Sequence, residues 1–179
     1  MEVINTERLV LRHLCEEDAA FILELVNDSD WLRYIGDRGV KTLNDARGYI
    51  LNGPMTMYKQ FGFGLYRVEL RDSGMPIGLC GLLKRDSLED ADIGFAFLPQ
   101  YRGCGYAFEA AAATLEYGTH TLGLARIVAI VSPENTVSIR LLEKLGLRFE
   151  QAIRLPNETR DASLYLPTSS ISEKPFQIS

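Results

Sequence analysis

Histidine and cysteine are scarce in this chain, and neither is clustered. Its two histidines, His13 and His120, stand far apart and lack the paired spacing of a zinc site, so no metal is expected. Three cysteines, Cys15, Cys80 and Cys104, form no C-x-x-C pair, and their odd number suits a reducing compartment better than a disulfide framework. No apolar run approaches the ~18 residues of a membrane span. Met1 to Asn5 runs straight into Thr6-Glu7-Arg8 without a basic segment and apolar core, so no secretory leader is expected and a cytoplasmic location is. A basic stripe is also missing. Net charge is −5 with Lys and Arg scattered singly, which argues against a nucleic-acid partner.

What is present is ordinary for a globular domain: 46% hydrophobic and 24% charged residues over 179 positions, about one domain's worth. The expectation is one domain over residues 1–167 and a polar tail, 168–179, without periodicity. Residues 3 to 13 alternate as a first strand. Glu16, Glu17 and Asp18 favour a helix start, continued by the stripe Phe21, Ile22, Leu25 and Val26. Weaker patterning predicts short helices near 30–35 and 42–52, the second broken at Gly53-Pro54. Phe63 to Leu70, the turn Asp72-Ser73-Gly74 and Pro76 to Leu83 read as a hairpin, and Asp90 to Leu98 as a third strand. A helix over 107–119 follows, with Ala110, Ala111 and Thr114 allowing close packing on a sheet. Then come a strand at 126–131, a helix at 134–144 stopped by Gly146, and a strand pair at 147–156 and 161–166. An antiparallel first half followed by alternating strands and helices means α/β (α+β mixed) with a mixed sheet.

Gln100-Tyr101-Arg102-Gly103-Cys104-Gly105-Tyr106-Ala107 joins a strand to a helix. Glycines there permit positive φ and let a ligand approach the unpaired N–H groups of a helix start, which suits phosphate. A tight turn that binds nothing would use the same two glycines. The run is neither a dinucleotide fingerprint, which would need glycine where Phe108 stands, nor a P-loop. As Q-x-x-G-x-G it resembles the acyl-coenzyme A pyrophosphate loop of the GNAT superfamily of N-acetyltransferases. Thr6-Glu7-Arg8-Leu9-Val10-Leu11-Arg12 with Glu16-Glu17-Asp18-Ala19, Asp92-Ile93-Gly94-Phe95, Pro133-Glu134-Asn135-Thr136-Val137-Ser138 and Lys144-Leu145-Gly146-Leu147 are similar to further blocks of its RimJ/RimL-type branch, in the same order. Leu147 stands where that branch often has Phe. The likeness spans roughly residues 3 to 166.

The resemblance implies a GNAT fold, a mostly antiparallel mixed sheet of about six to seven strands splayed at its middle and flanked by helices. It implies acetyl-CoA as donor, held by Gln100, Tyr101, Arg102, Gly103, Cys104, Gly105, Tyr106 and Ala107 and by the backbone of Phe95, Ala96 and Phe97, with Asn135 and Ser138 on the pantetheine arm. Backbone N–H groups over Phe95 to Phe97 would stabilise the oxyanion of the tetrahedral intermediate. Ser138 would donate to the departing thiolate, and Asn135 would position the arm. Both residue types are also helix caps, although Ser132-Pro133 already offers a cap and a first-turn proline. Asp92 stands where related enzymes carry a glutamate base; with a reference pKa of ~3.9 it is a poor base unless burial raises it. Trp31, Tyr34 and Tyr66 would line the acceptor side. Cys104 is not expected to be a nucleophile, since no base is identifiable near it.

The acceptor implied is the α-amine of a protein or peptide N-terminus, attacked directly in a ternary complex. At pH 7 about one α-amine in ten is free base against about one lysine amine in 2,500, so an N-terminus needs little help. The alternatives are a small amine such as a polyamine, amino acid or amino-sugar drug, which an enclosed acidic pocket formed by the 30–60 segment would favour and which Asp28, Asp30 and Asp37 keep open, or an acyl-CoA-binding module that transfers nothing. The expected assembly is a monomer or homodimer.

Overall fold

In the computed structural model, which describes residues 1–156 and 158–168, the alternating N-terminal stretch is two strands rather than one. β1 (Glu2–Asn5) and β2 (Leu9–Arg12) pair antiparallel around a turn at Thr6. The turn closes through two bonds, Thr6 N–H to the Leu9 carbonyl (2.9 Å) and Leu9 N–H to Thr6 Oγ1 (3.0 Å). This split raises the sheet to eight strands, above the six to seven expected. The polar tail beyond Thr168 lies outside the described residues.

The segment after β2 is helical. A 3-10 turn at Glu16–Asp18 leads into α1 (Ala19–Val26), followed by α2 (Ser29–Tyr34), α3 (Leu43–Asn52) and α4 (Pro54–Phe61). α4 was not expected, because Gly53-Pro54 reads as a break. Pro54 instead occupies the first turn of a new helix, where its missing N–H costs nothing, and Gly62 ends that helix at φ +77°. Asp28 caps α2 and Thr42 caps α3 in a reciprocal box with Asp45.

β3 (Leu65–Leu70), β4 (Pro76–Leu83) and β5 (Ala91–Phe97) form the meander; then come α5 (Tyr106–Glu116), β6 (Ile127–Val131), α6 (Thr136–Lys144), β7 (Leu147–Ile153) and β8 (Ala162–Pro167). The sheet order is β1-β2-β3-β4-β5-β6-β8-β7. Every pairing is antiparallel except β5 with β6, whose parallel crossover carries the glycine loop and α5.

Two cores flank the sheet. On one face Tyr66, Cys80 and Leu82 pack beneath the fully buried Ala110 and Ala111 of α5. Small side chains there bring the helix backbone against β4, and Thr114 satisfies its buried hydroxyl on the Ala110 carbonyl (2.8 Å). On the other face Leu79 and Leu98 meet Phe21, Ile22 and Leu25 of α1, Trp31 of α2 and Ile50 of α3. No described helix is long and apolar enough to cross a membrane.

Candidate active site

The site begins where the parallel pairing stops. β5 and β6 are in register at Ala91 with Ile127, Asp92 with Val128 and Ile93 with Ala129, and nowhere beyond. β5 continues to Phe97 with a partner only on its β4 side. Strand parity decides which groups face the gap. Leu98 N–H donates to the Ile77 carbonyl (2.9 Å), so Leu98 and, two residues apart, Ala96 and Gly94 direct their backbone groups at β4. Ile93, Phe95 and Phe97 direct theirs the other way. Of the three residues expected to supply oxyanion donors, Phe95 and Phe97 therefore present N–H groups to the open side, and Ala96 does not.

A cleft of about 600 Å³ occupies this gap, a volume that suits a small-molecule or extended substrate arm. Gly94, Phe95 and Ala96 form one wall; Ile130, Val131 and Ser132 face them. Asp92, Asn135 and Ser138 also line it, as do Trp31 and Tyr34 from α2 and Arg160 and Asp161 from the turn before β8. The structure thus brings both catalytic-side blocks of the sequence and two of the three acceptor aromatics into one cavity.

Tyr66 is the exception. It is 0% exposed and faces the α5 side of the sheet, in a parallel stack with Tyr58 and His13, while its neighbour Leu65 lines the cleft. Consecutive strand residues point to opposite faces, so an assignment one residue off puts the side chain on the wrong side.

Asp92 is 1% exposed at the start of β5. Burial pushes its carboxyl above the ordinary aspartate value, and the opposing pull of Arg85 does not cancel that rise. Arg85 holds it in a two-pronged contact, Nε to Oδ1 at 2.8 Å and Nη2 to Oδ2 at 3.3 Å. The sequence offered no signal for this partner, which the loop between β4 and β5 delivers.

At α6 the cap is Asn135, not Ser132-Pro133. Asn135 Oδ1 accepts from Ser138 N–H (3.2 Å), and the residues before it form a turn closed by Asn135 N–H to the Ser132 carbonyl (3.0 Å). The helix starts at Thr136, two residues later than expected. Capping occupies Asn135 Oδ1 and leaves its amide nitrogen, with the half-buried Ser138 hydroxyl, on the cleft.

The glycine loop leaves the far end of β5 and is exposed over Arg102 to Gly105. Gly103 and Gly105 take φ +73° and +82°, values that side chains disfavour. A Cβ at Gly103 would meet nothing within 4 Å, so the loop's outer surface is bare backbone there. No side chain caps α5, as none caps α1 or α4, and its first N–H groups follow the left-handed Gly105 directly. An uncapped helix of 11 residues behind two left-handed glycines fits a pyrophosphate group.

The Thr6–Arg12 block braces this loop from behind, a role composition could not reveal. Arg8 Nη1 donates to the Cys104 carbonyl (3.0 Å) and Nε to Glu109 Oε2 (2.6 Å), while its guanidinium lies 4.5 Å from the centre of the Tyr106 ring. Thr6 Oγ1 donates to Glu109 Oε1 at 2.6 Å. Gln100 and Tyr101 sit on a 3-10 turn beside a second, shallower cleft, and Ala107 packs inward from α5. The Arg102 side chain turns away from the loop. Its Nε donates to the Phe97 carbonyl (2.9 Å) and its terminal nitrogens bind Asp30 and Asp28 of the α2 start.

A parted sheet with a phosphate-type loop at the end of one parted strand has room for a ligand that anchors at the loop and extends into the gap, as the donor of a group-transfer enzyme does. The chain matches the family model described as Acetyltransferase (GNAT) domain over residues 8–148, and it belongs to that family. It is an acetyltransferase of this class. Bacillus subtilis (strain 168) has a relative, described as the uncharacterized N-acetyltransferase YnaD, that is 35% identical over 166 residues, covering 90% of this chain and 94% of the relative. A GNAT-family acetyltransferase of known structure from Bacillus anthracis is 35% identical, with TM-score 0.75 and coverage of 93% and 97% of the two chains. RimL, the ribosomal L7/L12 alpha-N-protein acetyltransferase solved in complex with coenzyme A, shares the fold at TM-score 0.78 and 15% identity, with 93% and 97% covered.

Proposed function

We propose that residues 1–167 act as one acetyl-CoA-dependent N-acetyltransferase domain whose acceptor is the α-amine of a protein or peptide N-terminus, acetylated by direct attack in a ternary complex. The observation that carries this reading is the open edge of β5, where Phe95 presents its backbone N–H to a cleft also lined by Asp92 and Ser138 and Phe97 faces the same unpaired side further along. Acetyl-CoA, when bound, supplies a thioester whose carbonyl carbon the amine nitrogen attacks and whose C–S bond then breaks.

The loop from Gln100 to Ala107 and the first turn of α5 hold the pyrophosphate through backbone N–H groups. Phe95 N–H, held in place because Gly94 and Ala96 on either side bond to β4, stabilises the oxyanion without reorganising, and Phe97 N–H, two residues nearer the loop, is left for the donor's arm. Asp92, raised by burial, takes the proton that the amine loses, directly or through water. Ser138 Oγ donates a hydrogen bond to the departing thiolate, directly or through water, and the Asn135 amide nitrogen orients the arm. Trp31 and Tyr34 form the acceptor wall.

The α-amine is favoured over a polyamine because the acids of the 28–37 segment are already neutralised. Asp28 and Asp30 are bound by Arg102 and Asp37 by Lys41 at 3.2 Å, so they do not form an acidic pocket. The test is thermal unfolding with acetyl-CoA or coenzyme A, then thiol release over a panel of Ser-, Ala- and Met-initiated peptides, spermidine and an aminoglycoside. Saturating donor is expected to raise Tm by several degrees, as a ligand at ~100 times Kd stabilises by about 2.7 kcal/mol. The peptides are expected to turn over fastest. A preference for spermidine or the aminoglycoside would overturn the acceptor assignment, and donor binding without turnover of any amine would leave a binding module.

A further inference from the structure

We infer that Arg102 is a positioning residue that carries the state of the glycine loop to the acceptor wall, so that seating the acyl donor firms the surface against which the amine binds. The inference rests on the reading of residues 100–107 as the donor site. Arg102 immediately precedes Gly103, yet its guanidinium leaves the loop and makes three contacts elsewhere. Nε donates to the Phe97 carbonyl (2.9 Å), on the open side of β5; Nη1 donates to Asp30 Oδ2 (2.6 Å), and Nη2 to Asp28 Oδ2 (2.5 Å). One arginine thus joins the last residue of β5, the donor loop and the start of α2.

α2 depends on such ties. It has six residues, too few to hold its shape alone. Its inner side is anchored by Trp31, 5% exposed within the core of the α1 face. Among the described residues its remaining side-chain ties are an exposed Arg33–Glu134 pair at 3.8 Å, which contributes little, and a bond from Arg160 to the Arg33 carbonyl (2.7 Å). The Arg102 clamp is different in kind, because Asp28 Oδ2 also accepts the N–H groups of Asp30 (3.1 Å) and Trp31 (3.4 Å). The same carboxylate oxygen that caps α2 receives Arg102. A ligand that fixes the backbone at Gly103 fixes the adjacent Arg102, hence the cap, hence the position of Trp31 and Tyr34. The coupling is reciprocal, so an occupied acceptor wall also tightens donor binding.

The chain has one tryptophan, so emission from Trp31 reports on α2 alone. The experiment is acrylamide quenching of Trp31, with and without saturating coenzyme A, in the wild type, Arg102→Ala and Asp28→Asn, alongside calorimetric Kd values for coenzyme A. Asn is as good a cap as Asp, so Asp28→Asn keeps α2 folded while weakening the ion pair. Coenzyme A is expected to protect Trp31 in the wild type, to do so much less in Asp28→Asn and not at all in Arg102→Ala, with coenzyme A Kd changed by less than about threefold. With a Ser-initiated peptide at saturating acetyl-CoA, KM for the peptide rises about tenfold in Arg102→Ala, the loss of one charge-assisted bond, and KM for acetyl-CoA at saturating peptide rises with it because the coupling is reciprocal. Undiminished protection in both variants overturns the coupling, as does a wild type that binds coenzyme A without any Trp31 response. A tenfold weakening of coenzyme A in Arg102→Ala with normal quenching makes Arg102 a donor ligand instead. A wild type that binds no coenzyme A overturns the donor-site reading first, and the coupling with it.

Discussion

Replacing Gly103 separates the proposed donor cradle from the stability of the fold. Gly103 sits at φ +73° with nothing within 4 Å of the position a Cβ would take. Gly103→Ala therefore adds backbone strain and no clash, about 1–2 kcal/mol for a side chain in the left-handed region. For a chain of this size that lowers Tm by about 2–8 °C. Gly103→Trp carries the same strain and also fills the open space above the loop. If the pyrophosphate is held there by two backbone N–H groups, each charge-assisted bond worth about 1.5–3 kcal/mol, losing even one to two of them raises Kd for coenzyme A by about a hundredfold. Gly105 is a less clean site, since its Cβ would lie 3.3 Å from Arg8 Nη2 and would disturb the brace as well as the cradle. Calorimetric titration with coenzyme A and a parallel melting curve separate the two effects. The expected pattern is equal Tm loss in both Gly103 variants and loss of affinity in the tryptophan variant only. A Gly103→Trp protein that binds coenzyme A within threefold of Gly103→Ala would refute the cradle.

Asp92→Asn is expected to lower kcat/KM for an α-amine peptide by about a hundredfold, the lower end of general base catalysis, and to leave a pH profile governed by the amine's own ionisation. Arg85 is one-third exposed and can be hydrated, so stability changes little; a loss of activity below threefold with an unaltered profile removes Asp92 from the mechanism. Asp18 titrates in the opposite sense. Its burial, which would raise the carboxyl, is outweighed by bonds from Arg12, Cys15 N–H and Arg67, so its pKa lies below the ordinary value. The stabilisation it gives is fully present above the unfolded value of ~3.9 and is lost as pH falls below it. Denaturant titrations from pH 6 to 3 are expected to show this loss in the wild type and a shallower one in Asp18→Asn, which starts about 3 kcal/mol less stable because a 3% exposed anion between two arginines is gone. Equal slopes would refute it.

Local signals were legible and relayed ones were not. Asp72-Ser73-Gly74 announces its hairpin because Gly74 alone can take φ +67° cheaply. The turn at Thr6 hides within an alternating run, since what fixes it includes Glu109, 103 residues away. Gly53-Pro54 reads equally as an end and as a beginning, and only the helix that follows decides. Asn135 rather than Ser132 became the cap because the intervening residues closed a turn of their own. Tyr66 was misassigned although its parity was legible: β3 alternates, with Arg67 and Glu69 on the face of Leu65 and the buried Tyr66 and Val68 on the other, so Tyr66 goes to the core with Val68. Asp92 was legible as a candidate, but neither the rise in its pKa nor its partner Arg85 was, because both depend on how the meander stacks.

The open edge of β5 also bears on how such an enzyme can change over time. Its two donors belong to peptide bonds, so no exchange of side chain at Phe95 or Phe97 deletes them; proline alone lacks the N–H. Sequence drift along this stretch can widen, narrow or recolour the cleft and so shift which acyl chain or amine it admits, while the N–H groups proposed to face the donor pass through unchanged. Specificity is thereby written in replaceable parts and the reaction in irreplaceable ones.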